Sequence, residues 1–245
     1  MRLDQRLVAL GLAASRAEAA RLIAEGAVRV DGQPARKPAQ NVSEGARLAV
    51  ERDGPAWVGR GALKLVHALE RFDLAPSGTA LDLGASTGGF TEVLLVRGAE
   101  RVMALDVGHG QLHPRLAADP RVTVIEGMNA RAIPEGLLPP LDWITADLSF
   151  ISLRKALPPA LAAARPGAQL VVLVKPQFEL GPEVVGKGGI VRDPAAHEAA
   201  CRAVAGWLAE RGWSVTHEAE SPITGGDGNR EFLLAARRGG TSGAA

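Results

Sequence analysis

Several short stretches of this 245-residue chain carry side chains equipped for chemistry. The first, Thr79 to Phe90, reads as a strand, a glycine-rich turn and a helix start. Glycine in such a turn permits positive φ or close backbone approach to a ligand, and the helix N-terminus that follows favours an anionic group such as a carboxylate. The run is not the dinucleotide fingerprint: G-x-G-x-x-G requires Gly at position 86, and Ser86 stands there. An acid, Asp82, lies near the end of the strand, where it can hold a ligand's ammonium. A second, Asp106, closes the next strand 24 residues later, near the position where a carboxylate grips a ribose diol. An acid for an amino group, glycines for a carboxylate and an acid for a ribose together describe S-adenosylmethionine. Asp82, Gly84, Ala85, Ser86, Thr87, Gly88, Gly89, Phe90, Asp106, Val107, Asn129 and Asp147 form the candidate cofactor-binding set. The alternative, that the acids are strand-end turn residues and the glycines connectors, stays open at this level.

A second group carries charge at strand ends. Asp147 follows the apolar run Leu141 to Ala146, and Lys175 follows Leu170 to Val174. In an open α/β sheet, ligands sit outside the carboxyl ends of the strands, so both side chains are expected to face the crevice. Lys64 lies on an earlier helix and Glu231 opens the last strand. Burial and a second ammonium lower a lysine pKa while a carboxylate raises it, so a Lys-Asp-Lys-Glu cluster can set the basicity of one lysine. Two ordinary ion pairs are the competing explanation, and position alone does not displace it. Only five of the 28 basic residues are Lys, so each Lys hints at a need for a compact, tunable ammonium.

The elements that must position these groups fall into two parts. Residues 1 to about 50 read as two short helices, with Leu3, Leu7, Val8 and Leu10 on the first, Gly11 as its stop and Ser15 to Glu18 as a capping box for the second, which ends at Gly26. The strand Ala27 to Val30, the turn Asp31-Gly32 and a further strand at Arg47 to Val50 follow, and Glu51 to Pro55 reads as a linker. Thereafter a helix at Gly61 to Phe72 precedes strands at Thr79 to Leu83, Arg101 to Asp106, Val122 to Glu126, Leu141 to Ala146, Gln169 to Val174, Ser214 to Ala219 and Glu231 to Ala235. Helices fit at Gly89 to Arg97, Leu153 to Ala164 and Pro194 to Arg211. The fold class expected is α/β, a mostly parallel sheet covered on both faces with an antiparallel pair at one edge. The domain division expected is 1–55, 56–238 and a disordered tail at 239–245.

Composition excludes several classes. A net charge of +1 argues against a wholly basic nucleic-acid coat. The single Cys201 removes intramolecular disulfides and Cys-based zinc sites and fits a reducing, cytoplasmic setting. No apolar run approaches the ~20 residues that span a bilayer, and no signal-peptide pattern is present. His109 and His113 have i, i+4 spacing but no further ligand, so no metal site is expected; His67, His197 and His217 read as isolated packing or surface residues. Nothing in the pattern demands a protein partner.

The runs Asp82 to Phe90, Ala104 to Gly108, Ala146 to Leu153, Val174 to Glu179, Val185 to Pro194 and Ser221 to Gly225, in this order, resemble the TlyA family of S4-domain, FtsJ-like ribosomal RNA cytidine 2′-O-methyltransferases, some of which carry the name hemolysin. The likeness runs from Arg2 to about Leu234. It implies an S4 RNA-binding module at the N-terminus, a Rossmann-like methyltransferase after it, S-adenosylmethionine as cofactor, and ribosomal RNA or ribosomal subunits as partner. The family's catalytic tetrad falls on Lys64, Asp147, Lys175 and Glu231, with Lys175 acting on the ribose hydroxyl, Asp147 orienting it and the other two positioning the ribose. Departures are Trp57 and Gly59 in place of Tyr and Ser, Ala62 in place of Gly, and His109 in place of Tyr. The expected RNA-facing set is Arg2, Arg6, Arg16, Arg21, Arg29, Arg36, Lys37 and Arg60, a solvated helix face being the alternative on charge alone. Trp57 either stacks on a base or packs an interface. Gly181 to Pro194 suits a mobile lid or a plain loop. Two other functions remain alternatives: a nicotinamide oxidoreductase, disfavoured by Ser86, and a membrane-lytic protein, for which no amphipathic or spanning segment is evident.

Overall fold

The structure is a computed structural model describing residues 1–13, 15–24, 26–50 and 57–240. The chain divides into two compact units, 1–56 and 57–245. The expected linker at Glu51 to Pro55 and most of the expected tail lie outside the described residues.

In the first unit, α1 (Leu3–Ala9) and α2 (Arg16–Ala24) pack against a sheet of β1 (Val28–Val30), β2 (Gln33–Pro34) and β3 (Leu48–Val50), ordered β2-β1-β3 and antiparallel. Ser15 Oγ accepts from Glu18 N at 3.2 Å, the capping bond expected there. Asp31 and Gly32 have φ of 51° and 81°, the doubly left-handed pattern of a tight hairpin turn. Leu3, Leu7, Leu22, Ile23 and Val28 form the buried core.

The second unit begins with α3 (Ala62–Arg71) and continues β4 (Thr79–Leu83), α4 (Gly89–Val96), β5 (Arg101–Leu105), α5 (Pro114–Ala117), β6 (Val122–Ile125), β7 (Leu141–Ala146), α6 (Leu153–Ala156), α7 (Pro158–Ala163), β8 (Ala164–Val174), α8 (Pro176–Glu179), α9 (Pro194–Ala209), β9 (Trp213–Glu220) and β10 (Phe232–Arg238). The seven strands lie in the order β6-β5-β4-β7-β8-β10-β9; β4 to β8 are parallel, and β10 inserts antiparallel between β8 and β9. Alternation sorts the strands' side chains into two cores. Leu81, Leu83, Leu170, Val172 and Leu234 face one layer, while Ala80, Val171, Leu173 and Leu233 face the other. Burial on both faces is the reason these strands are apolar throughout.

Two boundaries differ most from the sequence expectation. The helix expected over Leu153 to Ala164 is broken at Leu157, because Pro158 and Pro159 lack the N–H groups that would continue it and fit only a new first turn. The strand expected from Gln169 starts at Ala164, through Pro166 and Gly167, where a register shift against β7 accommodates it. The short helices α5 and α8 went unrecognised because four residues carry no readable period. Strand order switches between the parallel neighbours β4, which leads outward to β5 and β6, and β7, which leads to β8. A crevice is expected outside the carboxyl ends of β4 and β7.

Candidate active site

The loop leaving β4 is shaped by backbone requirements. Gly84 (φ +81°) lies so close to Asp147 that a Cβ would sit 2.6 Å from that residue's carbonyl oxygen. Its N–H and that of Ala85 both reach Leu105 O, at 2.8 and 3.1 Å, and Gly88 N closes the turn on Ala85 O at 2.7 Å. Ser86, also left-handed at φ 48°, donates its N–H to Asp106 Oδ2 at 2.8 Å, and Gly108 N donates to Oδ1 at 2.8 Å. Asp106 thus holds two loops together and retains a lone pair on each oxygen for a diol.

A cavity of about 800 Å³ opens beside this loop, lined among others by Gly84, Ser86, Asp106, Val107, Asn129 and Asp147. A smaller one of about 180 Å³ shares Gly84, Ser86 and Asp147 and adds Ala85, Thr87, Gly89, Phe90, Lys64 and Arg60. Asn129 Oδ1 caps its own turn by accepting from Arg131 N at 3.0 Å, leaving its amide nitrogen to the wall. Val107, 69% exposed, gives an apolar wall together with Met128 and Ile151.

Asp82 is placed differently from its wall-forming neighbours. It is fully buried on the Ala80 face of β4, where Thr91 Oγ1 donates to one carboxylate oxygen at 2.7 Å and Thr145 Oγ1 to the other at 3.2 Å. Burial pushes its pKa up to about 7, against the opposing pull of the two threonine hydrogen bonds. Of the expected cofactor-binding residues, Asp82 and Gly88 lie off both cavity walls, Asp82 buried behind the loop and Gly88 turned toward Leu112 and Leu116.

Four charged side chains meet around Asp147, which lines both cavities, with Lys64 on the smaller one. Lys64 Nζ lies 2.9 Å from Asp147 Oδ2 and 2.7 Å from Glu231 Oε2. Lys175 Nζ lies 2.6 Å from Asp147 Oδ1 and 3.9 Å from Glu231 Oε1, and donates to Ser149 Oγ at 3.0 Å. Side-chain exposures are 8% for each lysine, 19% for Asp147 and 2% for Glu231. The result is a neutral ring of alternating sign, the arrangement in which buried charges are tolerated. Burial pushes the Asp147 pKa up, but the charges of Lys175 and then Lys64 more than reverse this, leaving it below the usual carboxylate range. Asp147 Oδ1 and Glu231 Oε2 lack an aligned hydrogen-bond donor. The strand ends fix this meeting: Asp147 N bonds Leu83 O at 3.1 Å across the switch in strand order, and Val174, before Lys175, pairs with Phe232, after Glu231.

One flanking residue was missed as a site by sequence reasoning. Phe150 is 91% exposed, has φ +64° and stands on the large cavity's wall, 5.4 Å from the Phe178 ring. A bulky residue in the left-handed region costs about 1–3 kcal/mol, and an exposed ring recovers none of that by burial. The one sequence signal was an aromatic directly after Asp147-Leu148-Ser149. Behind it, Glu179 accepts from Ser152 Oγ and Leu153 N, both at 2.6 Å, and so ties α8 to the start of α6.

In the first unit, the buried Asp4 carboxylate gathers two of the expected RNA-facing residues. Arg2 donates to both its oxygens at 3.0 Å, and Arg16 reaches Oδ2 at 3.0 Å. These guanidiniums hold the Asp4 carboxyl well below its ordinary range. Arg6 is tied to Glu44 O, Arg29 is half-buried, and Arg36 and Lys37 are exposed. The Arg21 side chain lies outside the described set. Arg60 belongs to the second unit, on the small cavity. His113 is accounted for as the cap of α5, with Nδ1 accepting from Arg115 N at 3.2 Å. His197 Nε2 is 2.9 Å from Val191 O, and His217 stacks on Phe72. Among the described residues no three metal-ligating side chains converge.

These residues fit S-adenosylmethionine. The Asp106 oxygens keep capacity for a diol, the left-handed Gly84 lets the loop pass against the Asp147 backbone, Val107 and Met128 offer an apolar wall, and Asp147 carries a carboxylate oxygen without an aligned donor. The cavity volume falls at the upper end of the ~300–1,000 Å³ of small-ligand sites.

Comparison with known proteins matches an FtsJ-like methyltransferase model to residues 57–238 and an S4 domain model to residues 1–48. The chain is 52% identical to the 16S/23S rRNA (cytidine-2′-O)-methyltransferase TlyA of Mycobacterium tuberculosis, over 95% of this chain and 88% of that one. It is 36% identical to a protein of Brachyspira hyodysenteriae named Hemolysin A, over 95% and 98% of the two chains. A putative hemolysin structure from Streptococcus thermophilus superposes with a TM-score of 0.75 at 38% identity, covering 98% of this chain and 88% of that one. Among the described residues no helix is long and apolar enough to cross a membrane.

Proposed function

The chain belongs to the TlyA family of FtsJ-like methyltransferases with an N-terminal S4 domain, and on that premise we propose how its site works. It is an S-adenosylmethionine-dependent methyltransferase acting on the ribose 2′-hydroxyl of cytidine in ribosomal RNA. The methyl-bearing sulfonium of S-adenosylmethionine supplies the electrophile. Asp106 holds the cofactor ribose, the Gly84–Gly89 loop and α4 accept its carboxylate, and Val107, Met128 and Asn129 line the base. The observation that carries the reading is the Lys64–Asp147–Lys175–Glu231 ring, built around Asp147 on the wall of both cavities.

A ribose hydroxyl is a weak nucleophile near neutral pH, so the enzyme must stabilise negative charge on O2′ and remove its proton. Lys175 is assigned to that oxygen: its ammonium Nζ donates to O2′ and stabilises the charge that develops there, while the hydroxyl proton passes to solvent. Asp147 and Ser149 aim that nitrogen, and Lys64 and Glu231 hold the ribose and balance the ring's charge. Phe150, an exposed ring beside this point, supports stacking on the target base. The S4 unit contributes RNA affinity through Arg2 and Arg16, preset by Asp4. Whole ribosomal subunits in the cytoplasm are the proposed setting.

The test is to incubate the protein with ribosomal RNA or subunits and methyl-labelled cofactor, digest to nucleosides and locate the label, alongside mapping 2′-O-methylation in matched strains with and without the gene. Label in 2′-O-methylcytidine is expected. Label on a base, or unaltered maps with no transfer, overturns the reading.

A further inference from the structure

Many basic side chains of the second unit are neutralised. Arg97, Arg121, Arg165, Arg202 and Arg230 each lie against a carboxylate. Three cations without such a partner among the described residues stand on cavity walls: Arg60 on the small cavity, Arg131 and Lys155 on the large one. Both of the latter are exposed. Arg131 sits in the turn capped by Asn129, and Lys155 in α6, capped by Ser152 and braced through Glu179; α6 packs against the Arg131 turn. The bases of these side chains are therefore fixed on adjoining elements. The acids of the same wall do not oppose them: Asp106 is engaged by two backbone amides and Asp147 by two lysines.

A free cation pair at the rim of a site of this volume calls for an anion, and the cofactor's carboxylate is already met at the glycine loop. Resting on the methyltransferase reading above, we propose that Arg131 and Lys155 form a phosphate-binding site that grips the RNA backbone beside the target nucleotide. The ligand class is a phosphodiester, held by guanidinium and ammonium without sequence preference. This site sets the approach of the strand so that the target ribose enters between Phe150 and the ring.

Counterion release gives the expected size. Each phosphate contact contributes a slope of about 0.7 (single strand) to 0.9 (duplex) in log affinity against log salt, roughly five- to eightfold in affinity at 0.1 M salt. Because both side chains hold one phosphodiester, the double variant Arg131→Ala/Lys155→Ala is expected to weaken ribosomal RNA binding by about that factor and to lower the salt slope by about 0.7–0.9, with each single variant losing part of this. The Kd for S-adenosylmethionine is expected to be unchanged. Arg202→Ala, on an exposed paired arginine of α9, should leave the slope as it is. RNA binding is read by filter retention, apart from methyl transfer. If the unaltered protein binds RNA with the expected slopes yet transfers no methyl, the phosphate site stands and the enzyme reading fails. An unchanged salt slope in the double variant, a parallel loss of cofactor affinity, or an equal effect of Arg202→Ala overturns the phosphate site.

Discussion

Replacing Lys175 by Met tests whether the charge ring is both a balanced structure and the catalytic device. The ring carries two positive and two negative groups with side-chain exposures of 2–19%. Removing one ammonium leaves a net charge of −1 with little solvent to screen it, and Asp147 loses its contact at 2.6 Å. Breaking a buried pair in this way costs about 3–5 kcal/mol. Adding Glu231→Gln restores neutrality, leaving the Lys64–Asp147 pair at 2.9 Å, so the double variant should recover most of that loss. Activity should not return with it. Losing the group that meets O2′ removes ~10³- to 10⁴-fold in rate, about 4–5.5 kcal/mol of barrier. Urea unfolding followed by tryptophan fluorescence reports the second unit alone, because Trp57, Trp143, Trp207 and Trp213 all belong to it. A Lys175→Met protein that unfolds with the unaltered one refutes the charge argument; a refolded double variant that still transfers methyl at more than about a tenth of the original rate refutes the assignment of Lys175.

Two further expectations follow from single residues. Asp82 has its pKa raised from 3.8 to about 7, so between these values the folded protein holds a proton that the unfolded chain gives up, and stability falls as pH rises through that window. The drop is on the order of 4 kcal/mol, and Asp82→Asn should flatten the pH dependence of the urea midpoint; an equally steep profile in the variant would show that the slope has another origin. Phe150→Ala removes an exposed ring, so unfolding should shift by less than about 0.5 kcal/mol, while kcat/KM for RNA falls ~5- to 150-fold through lost stacking and cofactor affinity holds. Unaltered kcat/KM would remove Phe150 from substrate binding.

Much of the fold was legible because its signals are local. The apolar strands, the glycines at 84 and 88 and the Asp31-Gly32 turn declare backbone geometry through the residue itself, and the strand-helix alternation led to the sheet class. Errors fell where neighbouring preferences compete: Pro158 and Pro159 overrode the amphipathic run around them, and α8 is too short to show a period. The strand-end positions of Asp147 and Lys175 and the family pattern were enough to name the tetrad. Phe150 escaped because a single aromatic in an otherwise ordinary run shows neither its exposure nor its left-handed backbone.

The sequence by itself determined which segments extend, which coil and where glycine must bend them, since those choices depend on side chains within a few positions of one another. The tertiary structure decided which distant groups share a dielectric environment. Inserting β10 between β8 and β9 puts Glu231 beside Lys64 and Lys175, turning four separate charges into one neutral cluster. Packing on the Ala80 face buried Asp82 under two threonines rather than in a wall, and left Arg131 and Lys155 without a carboxylate partner among the described residues. Coulomb energy and desolvation depend on separation in space and on the surrounding medium, and neither quantity is defined until the chain has folded.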